Sequence, residues 1–259
     1  VSGKTLFDEF SRGRYSTDAS VYQIKPIGVI LPRDTNDVLN IMDYSQRNSI
    51  PLLARGGGSS QCGQTVGESV VLDYSKHQNK IVELNLEEKY VWVEPGVVLD
   101  HLNEYLKPYG LWFPVDVSTS SRATIGGMSA NNSCGSRSLY YGNMVHNVLA
   151  IEAILDDGSI FTFDQIEKNY LEKKNNQDRL YKIIDKFIDI RQKVASDIKD
   201  NWPTTQRRVG GYNIDLIDPN GFNSSNLLVG SEGTLSLFNK IKLKLSEIPK
   251  NKILGVCYF

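Results

Sequence analysis

Arg55-Gly56-Gly57-Gly58-Ser59-Ser60-Gln61-Cys62-Gly63 follows directly on the apolar run Ile50 to Ala54. Four of its nine residues are glycine. A strand that empties into such a loop lets backbone N–H groups come close to an anion, because no Cβ stands between them. Ser59 and Ser60 add hydroxyl donors. Two familiar phosphate motifs do not fit. No Gly-Lys-Ser/Thr closes the loop, and Gly56 and Gly58 are not followed by glycine at the offset of the dinucleotide fingerprint. Taken alone, the loop reads first as an ordinary glycine-rich turn, so its meaning depends on its surroundings.

Upstream, residues 1–21 form a polar lead-in with a short helix. Ile24 to Leu31 reads as a strand stopped by Pro32. Asp34 or Thr35 then caps a helix with Val38, Leu39, Ile41, Met42 and Tyr44 on its apolar side. Downstream, Ser69 to Asp73, Lys80 to Leu84 and Tyr90 to Glu94 are strand-like, and Leu99 to Leu106 is an amphipathic helix ended by Pro108 and Gly110. Val148 to Leu155 and Ile160 to Phe163 make a hairpin across Asp156-Asp157-Gly158. Asp178 to Ile198 has a helical period, and Leu227 to Val229 and Leu235 to Leu245 read as late strands. This is a mixed α+β chain with a subdomain limit near residues 107–113.

Three further stretches are dense in small residues and neutral donors. They are Phe113-Pro114-Val115-Asp116-Val117-Ser118 with Ala123-Thr124-Ile125-Gly126-Gly127-Met128, then Asn131-Asn132-Ser133-Cys134-Gly135 leading to Tyr141-Gly142-Asn143, then Gly230-Ser231-Glu232-Gly233-Thr234-Leu235. Such surfaces suit a flat, polar, partly anionic ligand. Irregular segments of this length in compact domains are usually functional or disordered.

Bulk properties narrow the field. With 29 Lys+Arg against 30 Asp+Glu, the net charge is −1, which lacks the basic excess of a nucleic-acid binder. No apolar run is long enough to span a membrane. Three widely spaced cysteines, Cys62, Cys134 and Cys257, suit neither a disulfide framework nor a C-x-x-C metal site, and point to a reducing, cytoplasmic setting. The chain starts at Val1 and ends in the apolar run Ile253 to Phe259, which reads as an interrupted strand of a longer protein.

In order and spacing these segments resemble the PCMH-type FAD-binding family, also called the vanillyl-alcohol oxidase family, over roughly Tyr22 to Pro249. Arg-Gly-Gly-Gly-Ser-Ser-Gln, Val-Glu-Pro-Gly-Val, Ala-Thr-Ile-Gly-Gly-Met, Asn-Asn-Ser-Cys-Gly and Gly-Ser-Glu-Gly-Thr-Leu most resemble its D-lactate, glycolate and D-2-hydroxyglutarate dehydrogenases. Gly13 to Ser20 and Gly142 to Asn147 are similar to long bacterial members that add a substrate domain and an iron–sulfur domain.

The resemblance implies an α+β fold of two subdomains, about 22–108 and 109–248, with FAD between them and a truncated cap beginning at 249–259. It implies that Gly56, Gly57, Gly58, Ser59, Ser60 and Gly63 hold the pyrophosphate through backbone N–H groups. Pro114, Asp116 and Ser118 would line the cofactor channel. Thr124, Gly126, Gly127, Asn131, Ser133 and Gly135 would surround the pyrophosphate and flavin, and Val145 to Val148 with Glu232, Gly233 and Thr234 would close the nucleotide end. Arg55, Gln64, Asn132, Tyr141 and Gly142 complete the set. Amides of the runs around 56–63 and 124–135 are expected to converge on one diphosphate. FAD is expected to be non-covalent, since Ser59 and Ser60 stand where some relatives carry a linking His. Ser236, where the branch often has Gly, and Phe238-Asn239, in place of an acidic-containing pair, depart from the pattern.

The expected chemistry is oxidation of a D-2-hydroxy acid by hydride transfer to flavin and on to an electron acceptor. The iron–sulfur cluster belongs to an absent C-terminal region. No nucleic acid or membrane span is expected, and peripheral membrane contact of the longer protein is left open. No catalytic base emerges from His77, His101 or His146, and Arg207-Arg208 is a candidate for a substrate carboxylate. A non-catalytic FAD module and an NADPH-dependent reductase of the same fold are the alternatives.

Overall fold

The computed structural model describes residues 1–168, 178–205, 207–251 and 253–257. β1 (Lys4–Leu6), α1 (Glu9–Arg14), β2 (Gly28–Leu31), α2 (Thr35–Asn48), β3 (Leu52–Arg55) and β4 (Val70–Asp73) build a first layer. Its sheet runs β1-β2-β4-β3, with β1 antiparallel to β2 and the other pairs parallel. All four residues of β2 and of β4 are buried, as strands covered on both faces must be. α2 begins where Asp34 accepts the N–H of Asp37, and it packs Val38 and Ile41 on Ile30, Val70, Leu72 and Tyr74. Tyr15, Val29, Leu31 and Val71 fill the other face. The N-terminal segment expected as a lead-in therefore supplies an edge strand and a core residue.

The second layer contains β5 (Ile81–Asn85), β6 (Tyr90–Val93), α3 (Leu99–Leu106), β7 (Leu111–Trp112), α4 (Ile125–Ala130), α5 (Ser138–Tyr141), α6 (Met144–Asn147), β8 (Val148–Ile154), β9 (Ile160–Phe163) and β10 (Gln165–Glu167). It continues with α7 (Arg179–Lys193), α8 (Ala195–Asn201), β11 (Gly221–Asn223), β12 (Leu237–Lys244) and β13 (Ser246–Glu247). The main sheet is antiparallel, in the order β5-β6-β12-β8-β9. On β12, Ile241 and Leu243 are buried while Lys240 and Lys242 are not, the alternation of a half-covered strand. α3 buries Leu99, Leu102 and Leu106 against this sheet. Phe113, Ile125, Met128 and Met144 join the same core. A smaller cluster joins α7 through Ile184 and Ile188 to Ile166 on β10 and Phe222 on β11.

The sheets change over between Asp73 and Ile81, ahead of the limit expected near 107–113. We propose the changeover as the subdomain limit. Three local expectations also change. The helix expected over Asp178 to Ile198 breaks at Val194, whose φ of −101° and ψ of 17° leave the helical region. Leu227 to Val229 is buried, but it belongs to and follows a 3-10 turn, Ser224–Leu227, started by Asn223 accepting the N–H of Ser225. Full burial alone does not require a strand. Ile253 to Cys257 join no strand, and Ile253 and Leu254 are exposed, while Tyr258 and Phe259 lie outside the described residues.

Candidate functional site

β3 delivers the glycine-rich loop to the seam between the two layers. Arg55 fixes the loop from below. Its guanidinium donates to the carbonyls of Tyr15 (3.2 Å), Thr65 (3.1 Å) and Thr17 (2.7 Å). Burial lowers the Arg55 pKa, while the nearby carboxylates of Asp18 and Asp73 oppose that shift. The Arg55 charge thus braces the loop. The N–H groups of Gly56, Gly57, Gly58, Ser59, Ser60 and Gln61 have no acceptor among the described residues. Consecutive backbone donors without an internal acceptor, beside a guanidinium, are the kind of backbone that can take an anion.

The second small-residue run abuts the first. A Cβ on Gly57 would stand 2.2 Å from the carbonyl oxygen of Arg122, and one on Gly56 would stand 2.0 Å from Oγ1 of Thr124. Only glycine permits that approach. Thr119 Oγ1 and Ser59 Oγ meet at 3.4 Å. The amides of the second run are largely spent, however. Those of Ile125 and Gly126 donate to the carbonyls of Val97 and Pro95, both at 2.8 Å, and that of Gly127 reaches the Thr124 cap at 3.3 Å. Asn131 and Ser133 donate back into α4, to Gly127 (3.0 Å) and Met128 (2.9 Å). The first run thus keeps its amides free of acceptors among the described residues, while the second spends most of its own and packs closely against it.

The third run straps onto the end of α4. The N–H of Gly230 donates to Ser129 and that of Glu232 to Ala130, both at 3.0 Å. Gln64 then reaches Glu232 across the gap at 3.4 Å. Between these segments lies a cleft. Arg55, Gly56, Gln64, Thr124, Gly126, Gly127, Asn131, Glu232 and Gly233 are the anticipated residues on its wall. Apolar Leu52, Ala54, Leu237 and Phe238 also line it, as do Tyr74 and Ser236. Burial pushes the Tyr74 pKa up, so its hydroxyl stays protonated. These residues carry no motif. They are found only once β3, β4 and β12 are known to end at one place.

The other anticipated residues surround the cleft or brace it. Gly58, Ser60 and Gly63 remain in the loop, where Ser60 donates to Gln64 at 2.5 Å. Pro114 is buried and Ser118 exposed. Asp116 holds the next loop, accepting from Ser136 Oγ (2.8 Å) and the Arg137 N–H (3.0 Å). Gly135 packs so closely on it that a Cβ would stand 1.6 Å from the Asp116 carbonyl oxygen. Asn132 is fully buried with φ of 48°, and its Oδ1 accepts the N–H of Val145 at 3.0 Å. Val145 and Val148 are core residues. Gly142 precedes the Asn143–His146 cap, and Thr234 bonds to the carbonyl of Ser231 at 2.6 Å. Tyr141 lies in a different groove with Trp112 and Arg137.

The histidines do not line the cleft. His146 accepts the Asn143 N–H on Nδ1 at 3.0 Å, and burial and then Arg208 lower its pKa. Arg208 is itself paired with Asp215 at 2.6 Å and stacked on Trp202. The departure at Phe238-Asn239 has a structural explanation. Asn239 accepts from Thr35 of α2 (2.7 Å) and donates to Glu152 on β8 (2.5 Å), and Lys240 pairs with the same carboxylate. An acid from the neighbouring strand completes the polar link between the layers. Among the described residues, no helix is long and apolar enough to cross a membrane, and no His/Cys/Asp/Glu cluster suits a metal.

Comparison with known proteins agrees with this geometry. Residues 26–164 match a family model described as an FAD binding domain. The chain is 35% identical over 99% of its length to D-2-hydroxyglutarate dehydrogenase of Escherichia coli (strain K12), and covers 26% of that protein. It is 36% identical over 92% of its length to the Haemophilus influenzae protein of the same name, covering 24% of it. Glycolate oxidase subunit GlcD of Bacillus subtilis is 30% identical over 97% of the chain, which covers 44% of that subunit. The chain therefore spans about a quarter of the two dehydrogenases. Among solved structures, alkyldihydroxyacetonephosphate synthase superposes with a TM-score of 0.66 at 17% identity, over 95% of this chain and 41% of that one, which is a likeness of fold.

Proposed function

From the premise that the chain belongs to the PCMH-type FAD-binding family, we propose that it is the flavin-carrying part of a dehydrogenase oxidising a D-2-hydroxy acid. The observation that carries this is the run of N–H groups from Gly56 to Gln61 without an acceptor among the described residues, leading off from Gly56 on the wall of a cleft that Leu52, Ala54, Leu237 and Phe238 also line. A dinucleotide needs both parts, donors for a diphosphate and an apolar slot for a ring. The donor set fits FAD.

The amides of Gly56 to Gln61 hold the diphosphate, with Arg55 beneath them as a fixed charge. Thr124, Gly126 and Gly127 form the facing wall. Glu232 accepts hydrogen bonds and repels phosphate, so it faces sugar hydroxyls at the rim. Asp116, Asn132, Ser133 and Gly135 shape the channel toward the flavin. With Ser59 and Ser60 in the first loop, attachment is non-covalent. When bound, the flavin accepts the hydride that leaves the substrate α-carbon.

No histidine reaches the cleft wall, and Arg208 is engaged by Asp215. The base for the substrate hydroxyl, the partner for its carboxylate and an iron–sulfur centre thus belong to the three quarters of such a protein that this chain does not span. The similarity to D-2-hydroxyglutarate dehydrogenases favours that substrate over lactate and glycolate. Three unpaired cysteines support a reducing, cytoplasmic setting.

Anaerobic mixing of the FAD-loaded, full-length protein with D-2-hydroxyglutarate, D-lactate or glycolate tests the proposal. Flavin bleaching by a hydroxy acid is expected, fastest with D-2-hydroxyglutarate. Bleaching by NADPH and by none of the three acids would replace it with the reductase alternative.

A further inference from the structure

The segment from Tyr15 to Tyr22 precedes the residues that match the family model, yet it holds the glycine-rich loop at both ends and in its middle. At the near end, the carbonyls of Tyr15 and Thr17 receive the Arg55 guanidinium. At the far end, Asp18 Oδ2 accepts from Thr65 Oγ1 at 2.9 Å. The Tyr22 ring covers Gly63 so closely that a Cβ there would stand 2.4 Å from it. Gln64 and Thr65 both line the cleft. In the middle, the N–H of Ala19 donates to the Gly58 carbonyl at 3.1 Å. Asp18 shapes that contact as well. Its Oδ1 accepts the N–H of Ser20 at 2.8 Å, which closes a turn around Ala19.

The Gly58 contact has a directional consequence. A trans peptide is planar, so its C=O and N–H point opposite ways. Holding the Gly58 carbonyl toward Ala19 turns the Ser59 N–H away from the segment, and that N–H has no acceptor among the described residues. Glycine by itself leaves such a peptide free to turn over, so the bond from Ala19 is what fixes it. Resting on the FAD reading above, we propose that Asp18 is a positioning residue for the cofactor. Through the Ala19–Gly58 and Thr65 contacts it aims the Ser59 N–H at the diphosphate before FAD arrives. Donors set in place beforehand spare the entropy of ordering the loop on binding.

The test compares Asp18→Ala, Asp18→Asn and Thr65→Val in this chain, with three readouts. These are melting of the cofactor-free protein, FAD titration by flavin fluorescence, and displacement of FAD by ADP. ADP carries a diphosphate but no flavin. Asp18→Ala should bind FAD and ADP about tenfold more weakly, the scale of one misaimed charge-assisted hydrogen bond. Asp18→Asn should stay within about twofold of the parent, because its amide oxygen still closes the turn and its NH2 donates to Thr65. Thr65→Val removes only the far contact and should weaken both ligands about threefold, which tests the same latch should Asp18→Ala fail to fold. A lower melting temperature with unchanged affinity for FAD and ADP would overturn the proposal and leave Asp18 a brace of the N-terminal segment alone. Weakened FAD with ADP unchanged, or an asparagine variant as weak as the alanine one, would overturn it too. Failure of the parent chain to bind FAD would instead overturn the cofactor reading on which this rests.

Discussion

Gly57→Ala is the sharpest perturbation of the contact between the two small-residue runs. The added methyl would sit 2.2 Å from the carbonyl oxygen of Arg122 and 3.0 Å from its carbonyl carbon. Both are backbone atoms, so no flexible side chain can swing aside. Gly57 does not have a positive φ, so the cost is steric and not conformational. Overpacking of this kind costs about 1–3 kcal/mol. Loss of unfolded-state freedom on replacing glycine returns roughly 0.4–1 kcal/mol. The net is a destabilisation of about 0.5–2 kcal/mol, a fall in melting temperature of roughly 1–8 °C for a domain of this size. The larger effect is on the cofactor. Moving the loop off the Thr124 wall misaligns the charge-assisted contacts of two or more amides, which lowers FAD affinity about tenfold or more. Calorimetry of the cofactor-free protein and FAD titration read the two effects separately. Gly13→Ala is the control: nothing lies within 4 Å of a Cβ there, and a helical alanine stabilises by roughly 0.5–1 kcal/mol. A Gly57→Ala protein as stable and as FAD-avid as its parent would refute the contact between the runs.

Asp37→Asn should lower stability by about 2 kcal/mol in a denaturant titration, because the carboxylate accepts from Ser2 N, Ser2 Oγ, Gly3 N and Arg33 N. Burial raises the Asp37 pKa, but these donors outweigh it and hold it below the ordinary 3.8. The stabilisation is therefore complete above 3.8 and lost as pH falls through the lower folded value, and the variant should show a flatter acid limb. Asn132→Ala should cost about 2–4 kcal/mol in thermal unfolding, from the orphaned Val145 N–H and an alanine at φ of 48°. Asn132→Gly should recover the backbone share. Arg55→Lys should weaken FAD binding several-fold, since an ammonium cannot fork to the carbonyls of Tyr15, Thr17 and Thr65 as a guanidinium does.

Regular elements with strong periodicity were legible before the structure. α3 occupies Leu99–Leu106 as expected, β9 occupies Ile160–Phe163, and Asp34 is the cap of α2. Short edge strands were not. β1, β10 and β11 have three residues each, too few to show a period, and are fixed by partners distant in sequence. The pairing of β6 with β12 is likewise non-local, so the sheet changeover could not be placed from the chain alone. At the site, glycine and small polar runs announced the cleft rim. The rest of the wall did not announce itself, because Leu52, Ala54 and Phe238 read as ordinary strand residues. Which amides stay free was equally hidden. The acceptors that occupy Ile125 and Gly126 are carbonyls of Val97 and Pro95, some thirty residues upstream.

Amide hydrogen exchange of the chain with and without FAD tests the free loop amides directly. Binding should slow exchange across Gly56 to Gln61, whose N–H groups have no acceptor among the described residues, and leave Ile125 and Gly126, already bonded to carbonyls, nearly unchanged. Slowed exchange confined to other segments, with the glycine-rich loop exchanging as before, would contradict the assignment of the diphosphate to that loop.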